Sequence, residues 1–471
     1  MKARGILGIL IATVLLGTAR VNAQDIASAD TSLQVLSPPY LVVADQVGSL
    51  AAPLKVPLED LPRDEADDLA PAYTFSITGQ IRHRSEVVGK QVYPGADYVP
   101  FHLLRTRIGV AFAPTEDVDI LVQLQDARVF GSEDPTKGRG TLDGSADALD
   151  FHQAYFVVGH LFETPLALKV GRQEFAYGNQ RLIGSVGWSN VGRTFDAGVV
   201  SYRTDKATVD FFTAKLSDSP TSISSQNLHG VYGAFRFEGA PLVDVFVLID
   251  NDTAKLPGGE DAGKSKLVRY TAGAFLRGAF GPVDYELEGA YQTGKTAQAD
   301  SLARASIGAY LLSGSLAYTL NRKNNLRLGV LYTRLSGDRD PGDATVRTFN
   351  TLFATNHKFY GYMDYFPRTY SRYGLQDFAL RMGVKAASNV TLHVDLHHFA
   401  LEQRASWIDP AGNGVEKQVL GQEVDVTAKV KYNTHFSFVT GASLFLADDL
   451  MRQVIGKETA FQCYLMTMVT F

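Results

Sequence analysis

Residues 171–185 read GRQEFAYGNQRLIGS and hold two arginines, Arg172 and Arg181, with a Gln-Glu pair and a Tyr-Gly-Asn turn between them. Arginine keeps its charge at any working pH, and its planar fork grips a carboxylate in two parallel hydrogen bonds. Fixed cations of this kind bind or guide anions, and nothing in the chain adds a reaction to them. There is no HExxH, no GxSxG and no cysteine pair, since Cys463 is the single cysteine. His397 and His398 are neighbours on a strand-like run and so point to opposite faces, which argues against a shared metal. Residues 143–150, DGSADALD, space carboxylates loosely like a calcium loop but lack the glycine and terminal glutamate of an EF-hand. A solvated loop is the expectation there. No catalytic residue, metal or cofactor is expected.

The N-terminus bounds the compartment. Lys2 and Arg4 precede an apolar run, Gly5 to Gly17, and Val21-Asn22-Ala23 places small residues before Gln24. This reads as a cleaved secretory signal peptide over 1–23. Its loss removes Lys2, Arg4 and Arg20 and takes the net charge from −5 to −8, a balance that gives nucleic-acid binding no support. An exported chain with one thiol has no internal disulfide. Residues 24–72 carry nine acidic residues against Lys55 and Arg63 and are rich in proline. They read as a solvated, extended periplasmic segment rather than a domain.

From Tyr73 the period becomes two. In YTFSITGQIRHR the apolar face is Tyr73, Phe75, Ile77 and Ile81, and the polar face ends in Arg82 and Arg84. Eighteen such runs can be marked between Tyr73 and Ala460, with no room for helices between them. Short connections such as APTED, FGP and YNT alternate with long ones such as 176–194 and 337–373. That alternation predicts an all-β fold over 73–471, a single transmembrane antiparallel barrel of about eighteen strands with short periplasmic turns and long extracellular loops. The terminal Phe471 on an amphipathic final run fits the same reading. A ring of that size encloses a channel rather than a packed core.

If the apolar face meets lipid, the other face lines the channel. The rule puts Arg82, Arg84, Arg105, Arg107, Arg269, Arg327, Arg381 and Lys385 inside, with Asp284, Glu286, Glu288, Glu423 and Asp425 on other strands. Walls of opposite sign make a transverse field, and a ladder of arginines gives anions a series of sites. Mutual pairing that braces the wall is the competing account. In the longest loop, Phe359, Tyr360, Tyr362, Tyr365 and Phe366 could stack on sugar rings, and His357, Lys358 and Arg368 could meet carboxylates. Packing of the same aromatics onto the barrel is the alternative.

The stretches QLQDARVFG (123–131), LDFHQAYFVVG (149–159), GRQEFAYGNQRLIGS…WSNVGRTFD (171–196), TNHKFYGYMDYF (355–366), GLQDFALRMGVK (374–385) and LGQEVDVTAKVKYN (420–433) resemble the alginate export family of outer-membrane porins. The resemblance implies a monomeric eighteen-stranded barrel in the bacterial outer membrane. It also implies an arginine-rich constriction for an anionic polysaccharide, alginate-like polyuronate, with loops that fold in. By motif, Arg128, Arg172, Arg181 and Arg193 become substrate-pathway residues, and Asp126, Glu174 and Asp196 their acidic partners. Partners would be the anionic substrate, outer-membrane lipid and periplasmic secretion proteins. A less specific porin for small organic anions or sugars stays open beside polysaccharide transport.

Overall fold

The computed structural model describes residues 74–89, 98–130, 147–219, 224–256, 261, 263–297, 303–408 and 414–471. The expected signal peptide, the acidic 24–72 segment and the 143–146 part of the DGSADALD loop lie outside the described residues.

Among the described residues, eighteen strands pair antiparallel in chain order, and the first (Thr74–Gly89) also pairs with the last (Thr459–Thr470), so the sheet closes. Closure is what a sheet needs in lipid, where an unpaired backbone group costs several kcal/mol. Strand starts fall within five residues of those read from the sequence. At the seam Gly79 and Phe471 exchange backbone hydrogen bonds of 2.8 and 3.0 Å. The Phe471 ring packs over Gly79, its tip 2.1 Å from where a Cβ would stand, so a side chain at 79 would turn that ring aside.

The alternating faces sort as expected. On the first strand Phe75, Ile77 and Ile81 are exposed to the outside, whereas Gln80, Arg82, Arg84 and Glu86 are buried toward the lumen. Turns at one end span seven residues or fewer, as at 116–117 and 159–165. The other end carries 174–194 and 336–374, which marks it as extracellular. The strands flanking the first of these loops, Leu166–Gln173 and Phe195–Arg203, have only eight and nine residues. The chain therefore leaves the wall early here and turns inward. In the second loop Thr345–Val346 pair parallel with Ser306–Ile307 at the wall, and from Phe349 the chain joins the first loop inside the barrel, where Phe175, Leu182, Ile183, Phe349, Phe359, Tyr360, Met363 and Phe366 form one apolar cluster with wall residues such as Phe212, Leu228, Leu248, Leu311, Phe399 and Phe445.

Candidate functional site: a lumen crossed by two loops

The four arginines of the first two strands point inward, and the loop covers them. Arg82, Arg84, Arg105 and Arg107 are all buried. Arg82 donates to the Gly187 carbonyl at 2.7 Å and to the Ser189 carbonyl at 2.9 Å. Arg105 donates to the same two carbonyls at 3.4 and 3.1 Å and to the Gln80 side chain. Arg84 donates to Glu86 and to the Trp188 carbonyl. Arg107 donates to Gln125, to Glu174 at 3.3 Å and to the Val191 carbonyl at 3.2 Å. The cationic wall thus clasps the carbonyls of 187–191. Burial pushes the Glu174 carboxyl up, but the His152 hydrogen bond at 2.7 Å and the charge of Arg107 prevail and hold it below the usual glutamate range.

The acidic wall does the converse. Met363 N–H donates to Glu423 at 2.8 Å and Tyr362 N–H to Asp425 at 3.4 Å. Gly361, at φ 78°, lets this backbone approach, since a Cβ there would stand 2.6 Å from the Glu423 carboxylate. Arg181 reaches a third wall. Its Nε donates to Glu288 at 2.9 Å, Asn179 donates to the same oxygen at 3.0 Å, and its guanidinium lies 4.0 Å over the Phe359 ring.

The two loops are joined to each other. Gly184 N–H donates to the Phe353 carbonyl, Phe353 N–H to Leu182 and Thr355 N–H to Gln180, at 2.8–3.0 Å. Trp188 stacks on His357 at 4.2 Å, His357 stacks on Tyr362 at 4.9 Å, and Asp364 accepts from His357 at 2.9 Å. Arg84 lies 3.9 Å over the other side of Trp188.

Above the joined loops lies a cavity of about 1190 Å³, lined by Trp188, Ser189, Arg193, Arg269, Asn350, His357, Asp364, Arg368 and external strand ends such as Val88 and Phe101. Arg193 donates through Nη1 to the Gly184, Phe353 and Ala354 carbonyls and meets no carboxylate among the described residues. Burial, then the like charge of Arg368, push its guanidinium down to about 10, which leaves it charged at neutral pH. Arg368 is exposed and forms no ion pair among the described residues. Arg269 is held by Asp250 at 3.2 Å.

Four residues assigned to the pathway face the other way. Arg128 shares the outward parity of Ile120 and Val122 and pairs with Asp126 at 2.7 Å. Arg172 shares the parity of Val170 and pairs with Asp196 at 2.8 Å and Asp150 at 3.3 Å. Both groups sit at the external ends of their strands on the outer face, so Arg128, Arg172, Asp126 and Asp196 do not line the lumen. Other lumenal charges brace the wall. Arg327 meets Asp284 at 2.5 Å, Arg381 lies 3.8 Å from Asp395, and Glu286 stands opposite Arg277 in register. Lys358 lies 5.8 Å over Phe359. Tyr360, Phe359 and Phe366 are buried, which leaves no face for a sugar in this state. Trp188, Gln180, Asn179 and Thr355, which join loop to loop and loop to wall, were not singled out from sequence. The sequence signal for Trp188 is its rarity, as one of two tryptophans.

A closed barrel with an apolar outer face, tight turns at one end and a lumen entered by loops from the other is a channel protein of the porin type, seated in the bacterial outer membrane. The alginate export family model matches residues 73–462, and the chain belongs to that family. No curated protein sequence matches it. Similar solved structures include Pseudomonas aeruginosa OccK8 (OprE), at 12% identity and TM-score 0.53, covering 84% of this chain and 98% of that one. A BenF-like porin from Pseudomonas fluorescens Pf-5 gives the same four values. Acinetobacter baumannii OccAB4 gives 9% and 0.56, with the same coverage. At these identities the likeness is one of fold.

Proposed function

We propose that the channel conducts anionic saccharides, with alginate-like polyuronate as the substrate class, and that it carries out no catalysis. The observation that carries this reading is the external cavity. Arg193 and Arg368 line it close enough to repel, and neither has a carboxylate partner among the described residues. Two cations held together without a counter-ion favour an anion between them, and arginine's fork suits the carboxylate of a uronate. Family membership supports the same substrate class. The test is single-channel conductance in planar bilayers with polyuronate added to the external side. Concentration-dependent block or transit events are expected, and a matched neutral oligosaccharide should give none.

A second reading, a porin for small organic anions, is favoured by the two joined loops, which are tied to each other and to the wall within the barrel. It predicts that monomeric carboxylates carry current while polyuronate neither blocks nor passes. Equal indifference to both classes, or preference for cations, would remove both readings.

A further inference from the structure

Gly187 and Ser189 present two carbonyl oxygens to two guanidiniums. Arg82 and Arg105 stand directly opposite in register on adjacent strands, and each donates to both oxygens. Arg82 meets them with both Nη atoms, whereas Arg105 reaches both through Nη1 and spends Nε and Nη2 on Gln80; two oxygens held between two guanidiniums make a place that suits a carboxylate. Here neutral amide carbonyls occupy it. Arg105 is 0% exposed, and every one of its hydrogen bonds goes to a neutral oxygen of Gly187, Ser189 or Gln80. The carboxylate that acts on Arg105, Glu174, is itself hydrogen-bonded to Arg107 and His152, so Arg105's own contacts are all neutral, and like charges opposite each other on a sheet repel.

We propose that Arg82 and Arg105 form a carboxylate site masked by the 187–189 backbone, and that a carboxylate arriving from the external cavity displaces this segment and unseats the loop. The inference rests on the anionic-saccharide reading and names its regulation. Trp188 and Ser189 line the cavity, so a ligand there already touches the mask. An ionised acceptor binds a guanidinium about twice as strongly as a neutral one. The exchange therefore gives the ligand a differential affinity for the released loop, which is the condition for a ligand to shift a conformational equilibrium. Trp188 lies between the two carbonyls in sequence, so their release must also draw its ring from between Arg84 and His357.

Trp188 is also the reporter. The chain has two tryptophans, so Trp407→Phe leaves Trp188 as the only one. The purified full-length barrel in detergent would be titrated with mannuronate oligomers, reading Trp188 emission, and the same oligomers would be applied in bilayers. A saturable red shift is expected, with its midpoint weakened roughly tenfold or more in Arg105→Gln. Arg105→Lys, which keeps the charge but loses the fork, should fall between, and it serves if Arg105→Gln does not fold. Current block by the oligomers without any change in Trp188 emission would overturn the mask and leave the channel reading standing. An equal midpoint in Arg105→Gln, with Arg105→Lys also unchanged, would overturn it as well. Absence of both block and emission change would sink the saccharide reading itself.

Discussion

Replacing Arg181 with leucine should free the inward loops while the barrel stays closed. Arg181 and Glu288 are buried to side-chain exposures of 3% and 6%, and they meet at 2.9 Å. Removing one member of a buried ion pair costs about 3–5 kcal/mol, because the other charge is left in a dry site. Loss of the guanidinium over Phe359 adds about 0.5–2 kcal/mol. At about 1.4 kcal/mol per factor of ten, the unseated fraction rises by at least two orders of magnitude. The wall keeps its own ladder, so heat-modifiable migration should persist. Planar-bilayer recordings of Arg181→Leu should show longer and more frequent high-conductance dwells. Glu288→Leu alone should act in the same direction, since it strands Arg181. The double variant should return toward the parent, because an apolar pair in place of a buried ion pair is often neutral. A double variant as open as either single one, or single variants indistinguishable from the parent, would refute the assignment of this pair as the loop's anchor.

Arg368→Gln, at an exposed site, should leave stability within about 0.5 kcal/mol while moving the reversal potential in a salt gradient toward cations, and Arg193→Gln should act in the same sense. Glu174 titrates below its ordinary value, so its hold on Arg107 and His152 is complete above the unfolded value near about 4.3 and lost as pH falls through the lower folded one. Conductance should accordingly rise below about pH 4, and Glu174→Gln should abolish that step. Deleting residues 342–366 should raise small-ion conductance and relax selectivity with the barrel still formed, and unchanged conductance in a folded deletion would exclude gating by this loop.

The strands were legible because lipid on one side and lumen on the other impose a period of two over the whole chain. The inward placement of Arg82, Arg84, Arg105 and Arg107 follows from that period alone. The same rule, applied to Ile120-Val122-Leu124-Asp126-Arg128 and to Leu166-Leu168-Val170-Arg172, would have turned Arg128 and Arg172 outward. Motif resemblance overrode it. Charges are tolerated at that parity because these residues end their strands above the apolar band. What the arginines bind was not legible. The partners are backbone carbonyls about 80 to 110 residues away, and carbonyls leave no trace in sequence. The joining of 180–186 to 353–355 is equally silent, since it rests on backbone pairing between loops some 170 residues apart.

The loop that ties Glu288 to the first two strands has a mechanical consequence. Its anchors lie about half the ring apart, nine strands of eighteen, so it acts as a chord across a hoop. A single-layer hoop resists stretching along its hydrogen bonds but bends easily out of round. With the chord fastened, the cross-section is held. With it cut, bilayer compression can flatten the ring without breaking a strand pair. Loosening the loop therefore changes the stiffness of the wall as well as its bore. Conductance of Arg181→Leu should fall as lipids of higher lateral pressure are used, while that of the parent stays level across the same series.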